Sequence, residues 1–139
     1  MDSTITQPQI DEVQTSDLVL TVDGIKLDVE WENNKSVEAL KSLAPLTINT
    51  QQYGGFEQVG DIGSSLPQND SNITTQAGDI VLYSGNSISI FYDSNTWSYT
   101  RLGKITGKTQ AELKELLGKD RVTVSITRAE NKEKIKGTI

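Results

Sequence analysis

The side chains best suited to recognising a ligand are concentrated in one stretch of this 139-residue chain. Phe91, Tyr92, Trp97 and Tyr99 fall within nine residues and Tyr83 lies one strand upstream, so five of the eight aromatics sit between Gly78 and Ile105. Apolar walls with a few orienting polar groups are the usual makeup of a small-ligand cleft. Phe56, Tyr83, Phe91, Tyr92, Trp97 and Tyr99 are the candidate walls, and Glu57, Gln58, Asn86 and Arg101 the candidate polar groups. Alternation limits the set. If Ile88, Ile90 and Tyr92 face one side of a strand, Ser89 and Phe91 face the other, so Phe91 and Tyr92 cannot line one pocket without a bulge. Core packing competes with ligand contact for every ring.

Composition removes several chemistries. With no histidine, the chain has no Ser-His-acid triad, histidine zinc site or histidine proton shuttle, and with no cysteine it has no disulfide scaffold or thiol nucleophile. Asp61, Asp70 and Asp79 lack the spacing of a calcium loop, and the glycines at 54, 55, 60 and 63 lack the Gly-Lys-Ser/Thr ending of a phosphate loop. No metal or cofactor is expected. A glycosidase needs two carboxylates, and nothing singles out a partner for Glu57. A net charge of -6 opposes binding to nucleic acid or an anionic membrane, which rely on clustered Lys and Arg. No apolar run reaches the ~20 residues that span a bilayer.

These side chains need a scaffold, and the pattern predicts one of strands. Residues 1–16 read as a flexible polar leader, with a barrel domain over 17–139. A second reading of the leader is a spacer left after removal of a signal or lipid anchor, which implies export; otherwise the protein is cytoplasmic. Leu18 to Val22, the turn Asp23-Gly24 and Ile25 to Trp31 form a hairpin with one buried face. Asn33 or Asn34 caps a short helix carrying Val37, Leu40 and Leu43/Ala44, which Pro45 stops. Leu46 to Thr50 is a strand, and residues 51–77 are mostly loop. Asp79–Tyr83, Ser87–Tyr92 and Ser98–Leu102 make an antiparallel meander. Thr109 and Glu112 form a capping box for a second helix, with Gly118 ending it in a left-handed conformation. Arg121 to Arg128 is the last strand, followed by the basic segment NKEKIKGTI. Seven or eight strands in hairpins with two short helices fit a closed antiparallel barrel whose ends the helices plug.

YGGFEQVGDIGSSLP at Tyr53–Pro67, GDIVLYSGNSISIFYDSNTWSYTRLGKI at Gly78–Ile105, and the short helix before PLTINT together resemble the small prokaryotic cyclophilin-like proteins. The SNTWSYTRLGKI phrase at Ser94–Ile105 is the most specific part, and the likeness runs from about Asp17 to Arg128. It implies a mainly β fold, a closed eight-stranded antiparallel cyclophilin-like barrel with two short capping helices. It also raises prolyl isomerisation, whose barrier of roughly 20 kcal/mol is crossed by bond rotation without proton transfer. In cyclophilins an arginine donates toward the prolyl nitrogen while a glutamine fixes the backbone. Gly55 to Asp61 resembles their GF-to-QGGD segment with one residue missing, which implies the glutamine role for Gln58. Leu46–Thr50 stands where their Phe-His-Arg strand is expected and holds no arginine. Arg101 is then the substitute donor, because Arg121 and Arg128 fall on the last strand. Two functions follow from the resemblance. One is a binding module for a proline-containing peptide or small molecule without efficient catalysis. The other is a weak or atypical peptidyl-prolyl isomerase using Arg101 and Gln58.

Overall fold

The computed structural model describes residues 18–129, so the expected leader at 1–16 and the segment NKEKIKGTI lie outside the described residues. Strands β1 (Leu18–Val22) and β2 (Ile25–Trp31) are joined at Asp23-Gly24. Both turn residues have positive φ, 49° and 83°, the twist that suits a two-residue hairpin. Helix α1 (Lys35–Leu43) starts where the Asn34 side chain accepts from the Val37 N–H at 2.9 Å, and Ala44 ends it ahead of Pro45. Then come β3 (Leu46–Tyr53), β4 (Glu57–Asp61), β5 (Ser71–Thr74), β6 (Asp79–Tyr83), β7 (Ser87–Phe91) and β8 (Thr96–Thr106). Helix α2 (Gln110–Leu117) carries the expected capping box, with the Thr109 and Glu112 side chains each accepting from the other's N–H at 3.1 and 2.8 Å. Strand β9 (Arg121–Arg128) ends the described chain.

Eight strands close into a barrel in the order β2-β1-β9-β3-β4-β7-β6-β8, with every pairing antiparallel. The seam is β8 on β2, from Asp28 opposite Thr106 to Trp31 opposite Gly103. Closure leaves no free edge in the ring. Strand β5 is a ninth strand outside that ring, paired with the start of β8 from Ser71 opposite Tyr99 to Thr74 opposite Thr96. Leu20, Ile48, Ile80, Leu82, Ile88, Ile90, Val124 and Ile126 fill the interior. Helix α1 links the end of β2 to the start of β3, and α2 links the end of β8 to the start of β9, which lies beside the far end of β3. The helices therefore plug opposite ends, α1 with Val37 and Leu40 and α2 with Leu113 and Leu117, all in the same core. Among the described residues no helix is long and apolar enough to cross a membrane.

One expectation is refined and one corrected. Residues 51–77 are mostly loop as expected, but they also hold the end of β3 and all of β4 and β5. Strand β4 escaped the pattern because Val59 is the one strand-forming side chain among its five residues and its fourth is Gly60. That glycine has a packing cause. A Cβ at Gly60 would stand 2.6 Å from the Asn49 carbonyl oxygen and 2.8 Å from Ile48 Cγ2 on the neighbouring strand. Gly118 follows α2 as expected, but with φ -80° it is not left-handed. It is required there because a Cβ would lie 2.5 Å from the Lys114 carbonyl oxygen. Gly60→Ala should lower the unfolding free energy by about 2 kcal/mol, read by urea denaturation, since neither the Asn49 backbone nor the core can give way cheaply.

Candidate functional site

Strands β6 and β7 bury apolar side chains on both faces, although Asp79, Ser87 and Ser89 also lie on the outward one. Ile80, Leu82, Ile88 and Ile90 point into the barrel, while Val81 and Phe91 point outward and join Tyr99 in a second buried cluster on the outer wall. Phe56 and Ile73 cover part of it. Phe56 stacks on Phe91 with ring centroids 6.1 Å apart and planes 4° from parallel, and Phe91 meets Tyr99 edge to face at 5.5 Å. Tyr53 stands edge-on to Phe56 at 5.9 Å, and Tyr83 is tilted against Tyr99 at 6.3 Å. Beside this cluster lies a cleft of about 760 Å³, within the usual range for a small-ligand site. The rings of Tyr53, Phe56, Tyr83, Trp97 and Tyr99 line it, together with Glu57, Val59 and Asn95.

Local structure sets each ring. Gly54 and Gly55, both at positive φ, turn the β3–β4 hairpin, and the Gln52 side chain accepts from the Gly55 N–H. A Cβ at Gly54 would sit 2.2 Å from the Phe56 ring, so only glycine lets that ring fold over Phe91. Asn95 donates from Nδ2 to the Tyr99 hydroxyl at 2.8 Å, and its own N–H is held by Thr75 Oγ1 at 3.0 Å. Trp97 stands at the rim, 57% exposed.

Glu57 is the chemical anomaly of the cleft. It is only 7% exposed, and among the described residues its carboxylate has neither an ion-pair partner nor a hydrogen bond of ordinary geometry. Burial pushes its pKa up, with the neighbouring Ser89 hydroxyl acting weakly in the opposite direction. Ser89 Oγ is itself buried and makes no hydrogen bond of ordinary geometry among the described residues. Burial also raises the Tyr99 and Tyr92 hydroxyls, and the Glu57 charge adds to both shifts. No lysine or arginine lines the cleft among the described residues.

The structure brings Phe56, Glu57, Tyr83, Trp97 and Tyr99 together at the cleft. Phe91 lies beneath them as fully buried support, and Tyr92 turns to the barrel core, as alternation required. Asn86 sits in the β6–β7 turn, away from the lining, where its backbone carbonyl accepts from Ile62 at 2.9 Å. Gln58 faces inward with no exposure. It donates to the carbonyls of Leu117 and Lys119 at 2.8 and 2.7 Å and accepts from Thr50 Oγ1 at 2.9 Å, tying the wall to the end of α2. Arg101 pairs with the buried Asp79 at 3.3 Å and does not line the cleft.

Sequence reasoning missed Tyr53, Val59 and Asn95. Tyr53 had a usable signal, a tyrosine and a phenylalanine flanking Gly54-Gly55; Asn95 had none beyond its turn. Arg121 opens the last strand, as expected. Cross-strand pairing puts Arg121, Gln51, Val59, Ser89, Val81 and Arg101 in one outward-facing row. Arg121 lines a groove of about 420 Å³ that shares Val59 with the cleft.

An eight-stranded closed antiparallel barrel with one helix plugging each end defines a cyclophilin-like barrel. The chain belongs to the cyclophilin-like family, whose sequence profile matches residues 20–127. A comparison with curated proteins finds no match.

Two substitutions separate the neighbouring residues. Glu57 binds its proton more tightly in the folded than in the unfolded chain, so stability falls as pH rises from the ordinary carboxylate range through the raised folded value. Glu57→Gln should therefore melt higher than the parent at neutral pH, with the gap closing near about pH 3, where both forms are uncharged. Gln58→Ala should instead cost about 2–4 kcal/mol by denaturant titration, because it strands the buried Leu117 carbonyl at the end of α2, the part-buried Lys119 carbonyl just beyond it and the Thr50 hydroxyl.

Proposed function

We propose that the protein is a binding module that holds a proline-containing peptide or a small molecule in its outer-wall cleft without efficient catalysis. The observation that carries this reading is the cleft itself, with five aromatic side chains in its lining, Tyr99 anchored through Asn95, and no guanidinium among the lining residues. Pre-positioned rings lose little freedom when a ligand arrives, which favours binding. Isomerisation also needs a donor over the prolyl nitrogen, and Arg101 is engaged with Asp79. One observation favours a second reading, a weak isomerase. Arg121 borders the groove that adjoins the cleft at Val59, and its row reaches that residue through Gln51.

A panel of Xaa-Pro peptides, followed by NMR for binding and by a proline-isomerisation assay for turnover, tests both. Binding at the rings of Tyr53, Phe56 and Trp97 with isomerisation at the uncatalysed rate is expected. Trp97→Ala should weaken binding about tenfold while leaving stability nearly unchanged, given its exposure. Arg101→Ala should leave binding unaltered. Turnover above background that disappears in Arg121→Ala would transfer the function to the second reading, and turnover that disappears in Arg101→Ala would overturn both assignments of the arginines.

A further inference from the structure

We infer that the cleft takes the cationic end of its ligand, an alkylammonium group seated among the rings of Tyr53, Phe56, Tyr83 and Trp97 with Glu57 as its counter-charge. This rests on the cleft being a binding site and adds the chemical class of what enters it.

The argument turns on how this fold treats its two buried carboxylates in the outer wall. Asp79, 3% exposed, is fully provided for: Arg101 and Lys104 approach it at 3.3 and 3.4 Å, and the Gln76 N–H donates to it at 2.9 Å. Glu57, buried nearly as well, receives none of this among the described residues, although it too lies on the outward face. A buried carboxylate without a partner is costly, and natural folds retain one where something else completes it. Glu57 lines the cleft, and a partner can reach it from there. The Ser89 hydroxyl, 1% exposed, is a polar neighbour of Glu57 but brings no positive charge to it.

The surrounding lining selects the sign of the missing group. A cation over an aromatic face is attracted by the ring's negative quadrupole, most strongly by Trp and Tyr, and several rings around one cation form an aromatic cage. Here the rings surround a carboxylate with no lysine or arginine among them. An anionic ligand would meet Glu57 with repulsion, and a neutral apolar one would deepen its desolvation. A net charge of -6 further favours the approach of cations. An amine in the cleft also favours the ionised form of Glu57, opposing the upward push of burial.

The test uses the intact chain and matched probes. Choline and 3,3-dimethylbutan-1-ol have the same shape and differ in charge, and a short peptide carrying one trimethyl-lysine presents the same group on a side chain. Choline is expected to shift the ring resonances of Tyr53, Phe56 and Trp97 and to bind about tenfold more tightly than the neutral alcohol. Glu57→Gln should reduce choline affinity about tenfold and leave the alcohol unchanged, and the rim variant Trp97→Leu should weaken choline selectively, independent of any effect on the core. Tighter binding of the trimethyl-lysine peptide than of choline assigns the cation to a polypeptide; the reverse assigns it to a free amine. Equal binding of choline and the alcohol, or choline affinity indifferent to Glu57→Gln, overturns the inference. If Xaa-Pro peptides fill the cleft and choline does not, the cation is wrong and the binding module stands. If no probe moves those rings, both fall.

Discussion

The site depends on two adjacent strands that bury apolar side chains on both faces. A barrel wall ordinarily buries one face and gives the other to water, yet β6 and β7 carry Ile80, Leu82, Ile88 and Ile90 inward and Val81 and Phe91 outward. The outward set must be covered, because exposed apolar area costs about 25 cal/mol per Å². Phe56 is brought down over it by the Gly54-Gly55 turn, and β5 contributes Ile73 from the other side. The cleft opens on the Phe56 side of this covered wall and shares Phe56 and Tyr99 with it, so its aromatic lining continues the buried outer cluster.

Glu57 and Gln58 show how far apart two neighbours in sequence can stand physically. One step of strand alternation sends Gln58 into the interior, where three hydrogen bonds satisfy its amide, and sends Glu57 to the outer wall, where its carboxylate has the Ser89 hydroxyl beside it but no cation among the described residues. The first is a brace between wall and helix. The second is a local loss of stability that the rest of the barrel must carry, the pattern expected of a residue kept for something other than folding.

Much of the scaffold was legible in the sequence. The Asp23-Gly24 hairpin, the Asn34 cap, the Thr109–Glu112 capping box and the alternation of Ile88, Ile90 and Tyr92 against Ser89 and Phe91 are local rules, and each was obeyed. What escaped depends on neighbours distant in the chain. Strand β4 lacks its own periodic signal and is held as a strand by β3 and β7, with Gly60 demanded by the backbone of Asn49. Whether Gln58 or Glu57 reaches the cleft is a question of facing, which a one-residue slip reverses. The relative standing of Arg101 and Arg121 required the cross-strand row through Gln51 and Val59. Recognition of the cyclophilin-like family came from phrases spread across these strands, so it delivered the fold before it delivered the site.

Strand β8 runs for eleven residues and serves two masters. Its second half, Gly103–Thr106, is the seam on which closure depends, while its first half runs on past that seam to hold β5, Trp97 and Tyr99. Strand β5 stands outside the ring of eight and is held to it through β8 alone. Its approach is nevertheless stitched to the barrel, since Leu66 joins the core and the Pro67 carbonyl accepts from Ser36 Oγ at the head of α1. One long strand thus carries both the closure of the wall and the annex built against its outside, so that a change at either end of β8 is felt at the other.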